Sequence, residues 1–247
     1  MRGLVGEELL TAWERSRGLP EQEAVLALLE LAHPERPANE WARLPLGERD
    51  ALLLELRAAT LGRKMEGFAM CPACGVQLEF TVDALELAQG LRAQGTQTSE
   101  GAAGIAMRPA NTLDLVASRT AKSEEEARAI LLARTACADA ADELDTAESA
   151  RRWLEAQPEA VAALLAERFE QVNAGAEIRM RLACAACGGC PLLDLDVARY
   201  LLREIGGTAR RLLAEIHELA LAYGWSEAVI AAMSGVRRAA YLEMVGA

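Results

Sequence analysis

Two Cys-x-x-Cys pairs stand far apart in the chain, Cys71-Pro72-Ala73-Cys74 and Cys184-Ala185-Ala186-Cys187, each followed at once by glycine. A two-residue spacer lets a tight turn aim both sulfurs of a pair at one ion, and two such turns complete a tetrahedral zinc site with Zn–S bonds of about 2.3 Å. The chain must therefore fold back on itself between them. Gly75 and Gly188 supply the positive φ that such knuckles need after the second ligand. Four thiolates leave no coordination position for water or substrate, so the expected ion is a structural cross-link and not a catalyst.

The flanking residues carry strand periodicity. Leu78, Phe80 and Val82 alternate with polar residues after the first pair; Ile178, Met180 and Leu182 do so before the second, and Leu193, Leu195 and Val197 after it. Each pair should cap a β-hairpin, and two hairpins sharing a metal form a zinc ribbon, here split by a long insertion. A redox reading competes, because Cys-Pro-x-Cys occurs in thiol-disulfide oxidoreductases. Their nucleophilic cysteine sits at a helix N-terminus, whereas these flanks read as strands. Cys190 stands three residues beyond Cys187, followed by Pro191, and is a spare thiol that could replace a neighbouring ligand. Cys137, in the helical run Ala129 to Asp139, reads as a small buried apolar group.

The rest of the chain is written for helices. Apolar residues make up 52% of the sequence but aromatics only 4%, so leucine and alanine, both strong helix formers, must build the core. The net charge of −11 would fall to about −13 with four thiolates and one zinc ion. Arg63, Lys64, Arg179 and Arg181 lie near the knuckles, but Glu66, Glu79, Asp83, Glu86 and Glu177 cancel them, which argues against a nucleic-acid face. The N-terminal residues do not resemble a signal peptide, and no window is apolar enough for a membrane span, so a cytoplasmic protein with reduced thiols is expected.

Helices are expected over Glu7 to Glu14, from Pro20 to Ala32, and from Gly47 to a stop at Gly62. His33 to Glu40 reads as a loop, Asp83 to Leu91 as a brief helix, Ala93 to Gly104 as a low-complexity loop, and Ile105 to Met107 as a short strand. Ser123 to Glu126 forms a capping box, and a helix pair spans Asp142 to Gln157 and Pro158 to Gln171. Val197 to Ile205 and Arg210 to Ala222 are expected as two helices, with a last one capped by Ser226 and stapled by Trp225 against Ile230.

Catalytic signatures are missing from this pattern. His33 and His217 are the two histidines, neither in a legible triad, and there is no phosphate loop, His-Glu-x-x-His motif or dinucleotide fingerprint. Trp13, Trp41, Trp153 and Trp225 suit either core or contact roles, and Arg210-Arg211 and Arg237-Arg238 either solvated faces or docking patches.

Several segments taken in order bear a likeness to a known family: Leu46-Gly47-Glu48-Arg49-Asp50 with Leu52-Leu53 and Leu56-Arg57 before Thr60-Leu61-Gly62, then the first knuckle with Leu78-Glu79. Arg108-Pro109, Asp114-Leu115, the second knuckle, and Glu215-Ile216-His217 through Ala222-Tyr223-Gly224-Trp225 to Arg237-Arg238 and Tyr241-Leu242 continue it. In these the chain resembles the T-even-type phage baseplate (hub assembly) protein family, as found in extracellular contractile injection systems. The resemblance implies a baseplate or hub assembly factor that works through contacts with hub or wedge proteins, without turnover.

The expectation is thus a mainly α protein with a small β component, in which Cys71, Cys74, Cys184 and Cys187 bind structural Zn2+. Its regions would be an N-terminal helical part (1–65), the split ribbon (66–82 and 177–197), a helical insertion (83–176) and a C-terminal helical part (198–247), in one compact unit. A zinc-ribbon nucleic-acid or transcription-related module and a thiol-disulfide oxidoreductase are the alternatives.

Overall fold

The computed structural model describes residues 2–95 and 107–246, and shows a mainly helical protein carrying two small antiparallel hairpins. Helices α1 (Glu7–Ser16), α2 (Glu21–Ala32) and α4 (Leu46–Leu61) each carry acidic residues in the first turn, and Pro20 and Pro45 precede the last two. Strands β1 (Lys64–Met70) and β2 (Gln77–Asp83) make the first hairpin, which leads directly into α5 (Ala84–Gly95). The second hairpin, β3 (Arg179–Arg181) with β4 (Leu192–Asp194), leads into α10 (Val197–Tyr223). Between the hairpins lie α6 (Thr112–Ser118), α7 (Glu124–Ala136), α8 (Ala147–Glu155) and α9 (Glu159–Val172).

One large core joins both ends of the chain. Leu9, Val25, Leu28, Leu53 and Leu56 from α1, α2 and α4 pack with Ala84 and Ala88 of α5 and with Leu201, Ile205, Leu212 and Ile216 of α10. Each fully buried leucine or isoleucine contributes about 1.5–3 kcal/mol relative to exposure. A separate small cluster, Ala117, Ile130, Ala133, Leu144 and Ala150, holds α6, α7 and α8 together. The two are joined where Leu46 N–H donates to the Ala110 carbonyl (2.9 Å) and Ala110 N–H donates to Asn173 Oδ1 (2.8 Å).

Several local expectations change in three dimensions. The stretch 197–223 is one helix, not two: Leu201, Ile205, Ala209, Leu212, Ile216 and Leu219 keep one buried face across Gly206-Gly207, and Gly206 is where Trp13 packs against α10. The proline-rich stretch after His33 contains α3 (Ala38–Arg43), because Trp41 is buried there with the Arg36 guanidinium over its ring. Helix α6 was not anticipated; Asn111 and Asp114 close a capping box at its start. Ser123 does cap α7, but Glu126 reaches back to the Lys122 N–H (2.8 Å) instead of that of Ser123.

Helix α8 begins only at Ala147, after a 3-10 turn over Ala138–Glu143, and Cys137 caps the end of α7. Ser226 makes no side-chain cap on α11 (Glu227–Ala231); Trp225 packs against the core cluster that includes Ile230 and stacks on Tyr223 with centroids 4.5 Å apart. Tyr241, in the final helix α12 (Gly235–Val245), meets the edge of Trp225. Residues 96–104 of the expected loop and Ile105 of the expected strand lie outside the described residues, and Met107 is buried without forming a strand.

Candidate metal centre

The two knuckles repeat the same backbone geometry. Cys71 N–H donates to the Val76 carbonyl (2.8 Å) and Gly75 N–H to the Cys71 carbonyl (2.8 Å); Cys184 N–H donates to the Gly189 carbonyl (2.8 Å) and Gly188 N–H to the Cys184 carbonyl (2.9 Å). Gly75 and Gly188 take φ of 73° and 71°, the left-handed conformation that closes both turns. One cysteine of each pair, Cys71 and Cys184, is buried, and the other, Cys74 and Cys187, is exposed. Leu78 from the first hairpin and Leu182 and Leu193 from the second pack around the buried two.

The four sulfurs of Cys71, Cys74, Cys184 and Cys187 lie within 4.8 Å of one another. Cys71 Sγ is 3.8 Å from Cys187 Sγ, and Cys74 Sγ is 3.6 Å from Cys184 Sγ. A tetrahedron with Zn–S bonds of 2.3 Å has edges of about 3.8 Å, so the donor set matches a metal-bearing cluster. These sulfur contacts are well beyond the ~2.05 Å of a disulfide. Among the described residues no other group of cysteine, histidine or carboxylate side chains is so arranged.

Protonation in this cluster is uneven. Cys184 receives the N–H groups of Cys187 and Ala186, with help from the Cys74 and Cys187 thiols, and its pKa is drawn down to about 7. The Val76 N–H pulls the Cys74 thiol the same way, but the Cys184 thiol, burial and the other two thiols outweigh it and push it up to about 12. Four sulfurs at this spacing do not all ionise without a cation among them. Cys190 is exposed and outside the cluster, and Cys137 lies at the end of α7.

Two residues that brace the first hairpin escaped sequence reasoning. Arg57 of α4 donates to the carbonyls of Gly62 (2.5 Å) and Lys64 (2.6 Å), and the Tyr200 hydroxyl of α10 donates to the Glu66 carbonyl (2.7 Å). Nothing in their spacing signals this, since each contact joins segments that meet only in the folded chain. His33 leans on Trp41 and on Glu35, and His217 is exposed on α10.

The fold and site together define a mainly helical protein, tied between two distant hairpins by a thiol cluster with room for one metal ion. Residues 5–190 match the family of the T4 bacteriophage base plate protein, and the chain belongs to that family. The match includes both knuckles and assigns a structural or assembly role in a phage-type baseplate. No curated protein and no solved structure matches the chain. No described helix is long and apolar enough to cross a membrane.

Proposed function

We propose that the protein is a non-enzymatic assembly factor or component of the baseplate, or baseplate hub, of a phage-tail-like contractile injection system, and that Cys71, Cys74, Cys184 and Cys187 hold a structural Zn2+ ion. The observation that carries the reading is the convergence of the two knuckles, with sulfurs 3.6 and 3.8 Å apart, in a chain of the baseplate family. The ion would supply a cross-link between the segment entering α5 and the segment entering α10, both of which feed the main core. The four regions of the sequence reading, 1–65, the split ribbon, 83–176 and 198–247, then act as one unit in the cytoplasm or in the assembled particle. Its partners are hub or wedge proteins. Against the nucleic-acid alternative stand the net charge of −11 and the acidic residues around both hairpins.

The test is a tagged protein expressed in its native host, with intact particles and unassembled material isolated separately and co-purifying chains identified by mass spectrometry. Hub or wedge subunits found with it only in the unassembled fraction make it a chaperone; the protein in finished particles makes it a component. Finding it with neither overturns the baseplate reading.

A further inference from the structure

The first hairpin leaves part of an edge open, and its register shows which part. Cys71 pairs with Val76 at one end of the ladder, and Ala84 N–H donates to the Arg63 carbonyl (2.9 Å) at the other. Hydrogen-bonded pairs alternate with non-bonded ones in an antiparallel ladder, so Met65, Gly67 and Ala69 point their backbone groups at β2. Lys64, Glu66, Phe68 and Met70 point theirs away from it. The first two outward carbonyls are occupied, that of Lys64 by Arg57 and that of Glu66 by Tyr200. Phe68 and Met70 have no main-chain partner on that edge among the described residues.

These same two residues are unusually apolar for an open edge. Phe68 is 64% exposed and Met70 56%, with side chains on the sheet face opposite buried Met65. Sheet edges are ordinarily guarded by charge, proline or a covering segment. Glu79 lies directly across the ladder from Phe68, exposed and without an ion-pair partner among the described residues, whereas the Glu66 carboxylate already pairs with Lys64.

We propose that the edge of β1 over Phe68–Met70 accepts an extended segment of a partner protein as an added antiparallel strand. That segment exchanges main-chain hydrogen bonds with Phe68 and Met70, lays apolar side chains beside theirs, and carries a lysine or arginine toward Glu79. Arg57 and Tyr200 end the site at Glu66. An extended strand is the occupant that unpaired N–H and C=O groups select, and the free carboxylate sets its charge. The proposal rests on the protein-contact reading above and names the chemistry of one contact; it does not depend on which particle the partner belongs to.

The probe is the synthetic hexapeptide Val-Thr-Lys-Thr-Val-Thr, which carries both valines and the lysine on one strand face as Phe68, Met70 and Glu79 require, titrated by calorimetry into the zinc-loaded protein. Binding is expected, with a loss of about tenfold or more when the peptide is N-methylated on its pairing edge. The same loss is expected for Met70→Pro, which removes an outward donor but no ladder bond, and for Phe68→Ser. Metal content and melting temperature report whether each variant folds; if Met70→Pro fails there, Phe68→Ser decides. No binding at millimolar peptide, or binding indifferent to N-methylation and to Phe68→Ser, overturns the proposal. Self-association in sedimentation velocity that Phe68→Ser abolishes would give the edge to a second copy of the chain and overturn it as well. None of these outcomes alters which subunits co-purify from the host, so failure here and failure of the baseplate reading are separate results.

Discussion

Arg57 and Glu204 form a two-pronged ion pair that ties α4 to α10, with Nε–Oε2 at 2.9 Å and Nη2–Oε1 at 2.8 Å. The third nitrogen of the same guanidinium holds the carbonyls of Gly62 and Lys64, where α4 gives way to the first hairpin. One side chain therefore sets both the helix crossing and the launch of the hairpin that carries Cys71 and Cys74.

Replacing Arg57 by alanine removes every one of those bonds and leaves two carbonyls and a partly buried carboxylate without the guanidinium. The expected cost is about 2–4 kcal/mol, measured as a lower denaturation midpoint. Lysine should recover only part of it, because an ammonium cannot present the planar fork.

Serine in place of Cys71, Cys74, Cys184 or Cys187 should each reduce bound zinc to well below one ion per chain and lower the melting temperature. Cys190→Ser should leave both unchanged, and Cys137→Ser, which touches only the α6–α8 cluster, should leave the metal content unchanged. Metal analysis by mass spectrometry, beside thermal melts with and without chelator, checks the set. Metal retention should weaken as pH falls, since protons compete with the ion for thiolates.

Asp114 gives a second pH signature. It is fully buried, accepts from Arg108 (2.6 and 2.9 Å), Arg134 (2.9 Å) and the Asn111 N–H (3.0 Å), and joins α6 to α7. Burial by itself would raise its pKa, but these partners outweigh it and hold the carboxyl below the usual range. The unfolded chain then takes up this proton more readily than the folded one. The contribution is therefore complete above the ordinary value of about 3.9 and is lost as pH falls through the depressed one. Asp114→Asn should cost about 3–5 kcal/mol near neutrality and flatten acid unfolding below about pH 4, followed by circular dichroism.

Two glycines should respond differently to alanine. A methyl at Gly47 would lie 2.2 Å from the Gly175 carbonyl oxygen, so α4 and the turn over Ala174–Ala176 must separate; a loss of about 1–3 kcal/mol is expected. A methyl at Gly188 meets nothing within 4 Å, and its cost is conformational, about 1–2 kcal/mol from positive φ. Equal melting temperatures for Gly47→Ala and the parent would contradict the packing argument.

Local chemistry was readable wherever it was written within a few consecutive residues. The Cys-x-x-Cys-Gly turns, the helices opened by Pro20 and Pro158, the helix that stops at Gly62, and the alternation around Leu78 are all recovered in the structure. Readings failed where a distant segment decides: Gly206-Gly207 suggests a break until Trp13 packs against it, and Pro34 and Pro37 suggest a plain loop until Trp41 is buried. Ser226 satisfied the rule for a cap, yet it makes no such bond.

The amino-acid sequence alone determined that two knuckles would form and that their four thiols, in a chain of helix-forming residues, would have to meet. Turn geometry and helix propensity act between near neighbours, so they survive without knowledge of the fold. Tertiary structure decided what surrounds the meeting point: the Arg57 and Tyr200 braces, the Asp114 network and the open edge at Phe68 and Met70. Those depend on which buried groups find partners across the core and which are left facing water, and no local pattern records that.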